Sequence, residues 1–418
     1  MILTEELELF SVLLLVAIAL LFTRFLGFLF YKLKQPAVIG EIIAGIVLGG
    51  IAIYIFSGQN FSFFSYIIYL PNLSELFQSH EFNLFNLFAQ IGILFLLFIS
   101  GLETSISKLK KTERSSSFVA IGGVIMPLIL GFLSGIILGF SVIESTVIGL
   151  ILTATSVGVT VRTLMDLHVL DTNVGATILG GAVIDDIIGI ILLTFALGIG
   201  SLMDAVLIGI KIAIFFLVFL YFGLKVIDKV LLIGEKINLP KSFLSITLAI
   251  LLLYSFFADE AGISGIIGAF VAGILIGQNV RSKKIIDDVK AIGYGFFIPI
   301  FFFSVGLRLW SEGSDDIFSY GNIVIFIIVI ISMSIIGKIV GCGIGAKLSG
   351  MSNMESLQVG VGMIPRMELA LIIVTAAISH GILIEPVAHT VLLTTILLTI
   401  ITSLVTPFLI KATFKNNE

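Results

Sequence analysis

The chain reads as runs of about 20 apolar residues, separated by short charged clusters or by Gly, Pro and Asn turns. A bilayer-crossing helix needs about that many apolar residues in a row. Cutting at the charged clusters and turns predicts thirteen spans, near 10–31, 37–57, 83–101, 116–140, 144–165, 172–198, 203–230, 240–258, 262–278, 289–309, 320–346, 356–379 and 387–410. The longer runs imply tilt or a frayed end.

Basic residues test that count, because they concentrate in cytoplasmic loops. With the N-terminus outside, the inner loops and tail hold Lys32, Lys34, Lys108, Lys110, Lys111, Arg114, Arg162, Lys225, Lys229, Lys236, Lys241, Arg281, Lys283, Lys284, Lys290, Lys347, Lys411 and Lys415, which is 18 of the 23. The outer loops hold Arg308 alone, against thirteen acids that include Glu75, Glu144, Asp259, Glu260, Asp315 and Asp316. A miscounted span would scramble the alternation from that point onward. The expected topology is an odd number of spans in the cell membrane, with the N-terminus outside and the C-terminus cytoplasmic.

Composition narrows the class. Apolar residues make up 58% of the 418, and Asp, Glu, Lys and Arg only 12%, about half the share in soluble chains. With a mean hydropathy of +1.21, the chain has too little polar surface for a soluble enzyme, a nucleic-acid binder or a disordered protein. The 42 glycines are of the kind packed transmembrane helices tolerate. The net charge of −4 says little about partners. Cys342 is the only cysteine, so neither a disulfide framework nor a thiolate metal site is expected. Acidic Glu5, Glu6 and Glu8 where a signal peptide would be basic argue against a cleaved leader.

The chain repeats itself. IGEIIAGIVLG at 39–49 and IGAFVAGILIG at 267–277 share six of eleven positions, and LFISGLE (97–103) is in step with FFSVGLR (302–308). An offset of seven spans inverts one half relative to the other, an architecture of transporters whose substrate site lies between the repeats. Repeat one would cover 10–198, repeat two 240–410, and 203–230 would link them within a single transmembrane unit that has no soluble domain.

Ionisable residues away from the charged loop clusters and within predicted spans include Arg24, Glu41, Asp185, Asp186, Lys211, Lys338, Arg366 and Glu368. Each costs several kcal/mol in the bilayer unless paired or hydrated. Arg24 and Lys211 can snorkel to an interface, and Glu41 can brace its helix after Pro36. Asp185 and Asp186 are different, lying mid-span in GGAVIDDIIGIILL with no charge within ten residues. Adjacent helical residues point about 100° apart, so one carboxylate can face a wet cavity and the other a partner helix. Protonatable oxygens that hold a hard cation suit an exchanger of H⁺ for a monovalent metal ion. Lys338, mid-span in SIIGKIVGCG, is the evident counter-charge.

Two spans read as broken. The fifth contains TATSVGVT (153–160), with Thr155 and Ser156 at its centre, and the twelfth contains VGVGMIPRMELA (359–370), where Gly360, Gly362 and Pro365 interrupt the backbone ladder. Arg366 and Glu368 follow at once, either as company for freed backbone groups or as a local pair beside a simple proline kink. Interruptions at corresponding places in two repeats point to a transporter's binding site.

Taken with QPAVIGEIIAGIVLG (35–49), LFISGLE, TATSV (153–157), VIDD (183–186), GAFVAGILIG (268–277), IPIFFFSVGL (298–307), GKIVG (337–341) and PRMELALI (365–372), the sequence resembles the cation:proton antiporter-2 family over nearly its whole length, closest to the NapA-like sodium/proton antiporters. The resemblance implies an all-α homodimer in the lipid bilayer, whose six-helix core moves as an elevator. It implies Na⁺ or another monovalent cation and protons as cargo, with no cofactor and no nucleic acid. Asp186 then corresponds to the cation- and proton-binding carboxylate, and Asp185 to the one paired with Lys338. Thr155 and Ser156 correspond to crossing-helix residues beside the site, and Glu368 to the acid near the second crossing. Met367 stands where relatives usually carry glycine. Kef-type potassium relatives carry Gln-Asp in place of Asp185–Asp186 and append a nucleotide-binding domain. An intramembrane aspartyl protease would need Tyr-Asp and Gly-Asp pairs, and neither occurs. A channel would show no obligatory proton countermovement. His80, His168, His380 and His389 all lie near loops.

Overall fold

The computed structural model describes residues 2–55, 61–63, 66–68, 80–196, 202–237, 239–311 and 321–414. Glu75, Asp315, Asp316 and Lys415 lie outside them. Every predicted span falls on helix, from Ile2–Lys32 to Val387–Phe414. Among the described residues eight helices are long and apolar enough to cross a membrane, or nine if the bent pair Gly209–Phe219 and Gly223–Gly234 is one span. Ala37–Ile51, Gly265–Gly277 and Leu369–Ser379 are shorter apolar helices. One element departs from the all-helical expectation: a two-stranded antiparallel ribbon, Phe61–Phe63 with Tyr66–Ile68.

The fifth and twelfth predicted spans are both interrupted. The fifth is helix Val142–Thr153, then a non-helical stretch, then helix Gly158–Asp166. The twelfth is helix Asn353–Gly362, a second stretch, then helix Glu368–Ser379. Both begin with the same device. The Ser141 hydroxyl accepts from the Glu144 amide while the Glu144 carboxylate accepts from the Ser141 amide, and Ser352 and Glu355 do likewise. Such a box satisfies two orphan N–H groups of the first turn.

The chain divides into two compact units, Met1–Ile93 with Ala291–Ser319, and Leu94–Lys290 with Tyr320–Glu418. The first is built around Val12, Leu15, Val16, Ala19, Phe85, Ala89, Ile300, Phe303 and Leu307. Its helix Ala37–Ile55 lies so close to Ile298–Ser311 that a Cβ on Gly45 would overlap the Phe303 carbonyl, and one on Gly306 the Ile42 carbonyl. Glu41 is 2% exposed, with a carboxylate oxygen 3.9 Å from the guanidinium of Arg24, which is 48% exposed. Arg24 thus braces Glu41 as well as reaching outward. Lys211, in helix Leu202–Phe215 of the second unit, is exposed.

In the second unit helix Ile106–Ile137 is central, packing on Val142–Thr153, Asn173–Ala196 and Gly321–Leu348. The aligned repeat positions make matching contacts here too. A Cβ on Gly273, the counterpart of Gly45, would overlap the Phe98 carbonyl, and one on Gly101, the counterpart of Gly306, the Phe270 carbonyl. The obstacle in each case is backbone, which cannot rotate aside. Gly273→Val is therefore expected to cost about 1–3 kcal/mol through overpacking. A lower unfolding temperature in detergent checks this, and an unchanged one would show that the helices can separate freely.

Candidate functional site

Asp185 stands halfway along helix Asn173–Ala196 and is 2% exposed. Its Oδ2 accepts from the Lys338 ammonium at 2.9 Å, and Lys338 is wholly buried on helix Gly321–Leu348. The Thr155 hydroxyl donates to the same oxygen. Three elements thus meet on one carboxylate: an intact helix, a second intact helix, and the break of the fifth span. A charge-assisted bond of this length is near its optimum, and removing one partner of such a buried pair costs about 3–5 kcal/mol.

The two breaks are tied to each other. The Ser156 amide donates to the Pro365 carbonyl at 2.7 Å, and the Thr160 hydroxyl to the Gly362 carbonyl at 2.7 Å, across 202 residues of sequence. Each bond satisfies backbone that an interrupted helix leaves open, as a membrane interior demands. Arg366, 0% exposed, performs the same service. Its guanidinium donates to the carbonyls of Met363 (3.3 Å) and Ser334 (3.4 Å), and its amide to the Thr402 hydroxyl (3.2 Å). A cation at the end of helix Asn353–Gly362 also complements that helix's negative pole. Glu368 opens the following helix; its side chain lies outside the described residues. Ser334 and Thr402 escape a reading of the sequence, because hydroxyls on apolar helices carry no signal until the fold brings Arg366 to them.

Asp186 is half-buried on the next position of the helix. Two buried oxygens of the site, Asp185 Oδ1 and Ser156 Oγ, make no hydrogen bond among the described residues. The structure therefore gathers Asp185, Lys338, Thr155, Ser156 and Arg366 where the sequence predicts a site, with Asp186 adjoining. Among the described residues no three His, Cys, Asp or Glu side chains cluster. The available donors are carboxylate and hydroxyl oxygens, which suit a hard cation.

A family model described as a transmembrane sodium/hydrogen exchanger matches residues 9–414. The chain belongs to that family. This exchanger is 32% identical over 401 residues to the Na(+)/H(+)-K(+) antiporter GerN of Bacillus cereus, across 96% of this chain and 95% of the relative. It is 36% identical over 281 residues to a Na(+)/H(+) antiporter of Enterococcus hirae, covering 66% and 72% of the two chains. In fold the exchanger is similar to the sodium proton antiporter MjNhaP1 of Methanocaldococcus jannaschii at pH 8, with a TM-score of 0.63 at 17% identity, covering 98% of both chains. It is a multi-pass membrane protein from a family of cation:proton antiporters, which are transporters.

Proposed function

We propose that this exchanger is a secondary active antiporter that moves Na⁺ in one direction and H⁺ in the other. The observation that carries this reading is the buried Asp185–Lys338 pair, placed where two interrupted helices cross and next to a second carboxylate. Asp186 binds either a proton or the cation, and Ser156 Oγ and Asp185 Oδ1 stand ready as further oxygen ligands. A bound cation displaces the Asp186 proton. Where Asp185 then turns toward the cation, Lys338 is left without its counter-charge in a low-dielectric interior and sheds a second proton. Two protons exchange for one cation, and the cycle is electrogenic.

Thirteen spans with an outside N-terminus follow from the basic-residue ledger. The matching glycine contacts and the twin capping boxes support two inverted repeats. A homodimer with an elevator-like core completes the proposal. The printed name of the Bacillus cereus relative includes K⁺, which favours a second reading in which K⁺ is also carried. Purified protein in liposomes holding a pH-gradient dye tests both. Dequenching by Na⁺ at lower concentration than by Li⁺ or K⁺ is expected, and no cation-driven proton movement would sink the antiport reading.

Thr155→Val keeps the shape of the crossing but removes the donor to Asp185 Oδ2. One hydrogen bond to a charged group contributes about 1.5–3 kcal/mol, so the apparent cation constant should change by about tenfold or more, and toward weaker binding. An unchanged constant with less protein recovered would assign Thr155 to packing.

A further inference from the structure

Lys338 must hold one position for the pair with Asp185 to couple anything, yet a four-carbon stem is flexible. What fixes it lies on the opposing helix. Ile106–Ile137 and Gly321–Leu348 touch backbone to backbone, since a Cβ on either Gly122 or Gly341 would overlap the other's carbonyl, and one on Gly345 the Phe118 carbonyl. One residue beyond that contact the helices differ: Gly123 on one faces Cys342 on the other. A methyl on Gly123 would lie 2.6 Å from Cys342 Sγ and 3.2 Å from Lys338 Nζ. Cys342 is wholly buried and sits one helical turn from Lys338, on the same face. The missing side chain at 123 therefore makes a slot that the thiol and the ammonium fill together.

We propose that Gly123 and Cys342 form the seat that positions the Lys338 ammonium on Asp185. Neither residue touches the cargo; both act through the lysine. The proposal rests on the reading of Asp185–Lys338 as the coupling pair. The charged or titratable groups around Lys338 are Asp185 from helix Asn173–Ala196, Arg366 from the second break and Cys342 from its own helix, with Asp186 beside Asp185. Helix Ile106–Ile137 supplies Gly123 and no charge at this point. A displaced ammonium loses part of its hold on Asp185, and the coupling that runs through the pair weakens.

The test is the voltage profile of Na⁺-driven proton release in proteoliposomes, its rate against imposed membrane potential, for wild type, Cys342→Ala, Gly123→Ala/Cys342→Ala and Lys338→Gln. In the double variant the new methyl takes room vacated by the sulfur and still presses on the ammonium, so the helices can pack as before. We expect both seat variants to elute and melt like wild type, and the double variant to lose about half or more of its voltage response, as when the ammonium spends half its time off Asp185. Cys342→Ala, which only loosens the wall, should lose less of it. A wild-type profile in both seat variants, with Lys338→Gln flattened, overturns the seat while leaving the coupling pair intact. A wild-type profile in all three overturns the coupling reading and the seat with it. Should the double variant not assemble, Cys342→Ala decides alone, and an unmoved profile there overturns the proposal.

Discussion

Asp186→Asn is expected to reduce cation-driven proton movement to the level of empty liposomes while the protein stays folded. Asparagine keeps the size and shape of the side chain, and Asp186 is only half-buried. The change therefore leaves the packing of helix Asn173–Ala196 in place. It removes the charge that balances a bound cation and the oxygen that takes up a proton, so both halves of the exchange fail together. Stability should change little, because the amide keeps the shape of the side chain. The dye assay on purified protein, run beside a melting curve in detergent, measures both. Normal exchange by a folded Asp186→Asn protein would remove Asp186 from the site.

The second large effect concerns charge movement. Lys338→Gln is expected to leave partial exchange but to abolish its response to membrane potential. Without the lysine the proton of Asp186 is the one left to trade, so one cation leaves for one proton and no net charge crosses. The competing view treats the pair as an ion bridge that merely joins helices Asn173–Ala196 and Gly321–Leu348. A buried ion pair is weak evidence for stability, since apolar residues in its place are often as stable. Thr155 also converges on Asp185 Oδ2, while Asp185 Oδ1 is left bare, an uneven arrangement that a bridge does not require. Because Lys338→Gln leaves Asp185 buried without its partner, destabilisation of about 3–5 kcal/mol is expected. Asp185→Asn/Lys338→Gln, which removes both charges, should recover part of it. Reversal potentials of the wild type in liposomes give the direct test: a shift with imposed voltage fits two protons per cation, and one-for-one exchange would defeat the coupled cycle.

Most of the helices among the described residues were legible in the chain, because a bilayer accepts only long apolar runs and expels charge to their ends. The interrupted spans were legible for a related reason. Pro365 cannot sustain a helix, while Gly360 and Gly362, read as interruptions, lie in the last turn of helix Asn353–Gly362 just before the break; Thr155 and Ser156 replace the apolar residues a span would choose. The site's ionisable members stood out because a charge in a membrane needs a purpose.

The contacts within the site were decided by the tertiary structure. Residue pattern alone leaves open which of two adjacent aspartates meets the lysine, although the family resemblance names Asp185; the packing of Asn173–Ala196 beside Gly321–Leu348 puts Asp185 on it. Arg366, which the sequence leaves between a backbone role and a local pair, spends its donors on the carbonyls of Met363 and Ser334. The ribbon at Phe61–Ile68 and the seat at Gly123 are likewise invisible in one dimension. The physical reason is the same throughout. Apolar periodicity and the cost of charge act residue by residue and leave their mark locally, whereas a hydrogen bond from Thr160 to Gly362, or a slot at Gly123 filled by Cys342 and Lys338, exists only once distant helices have closed on each other.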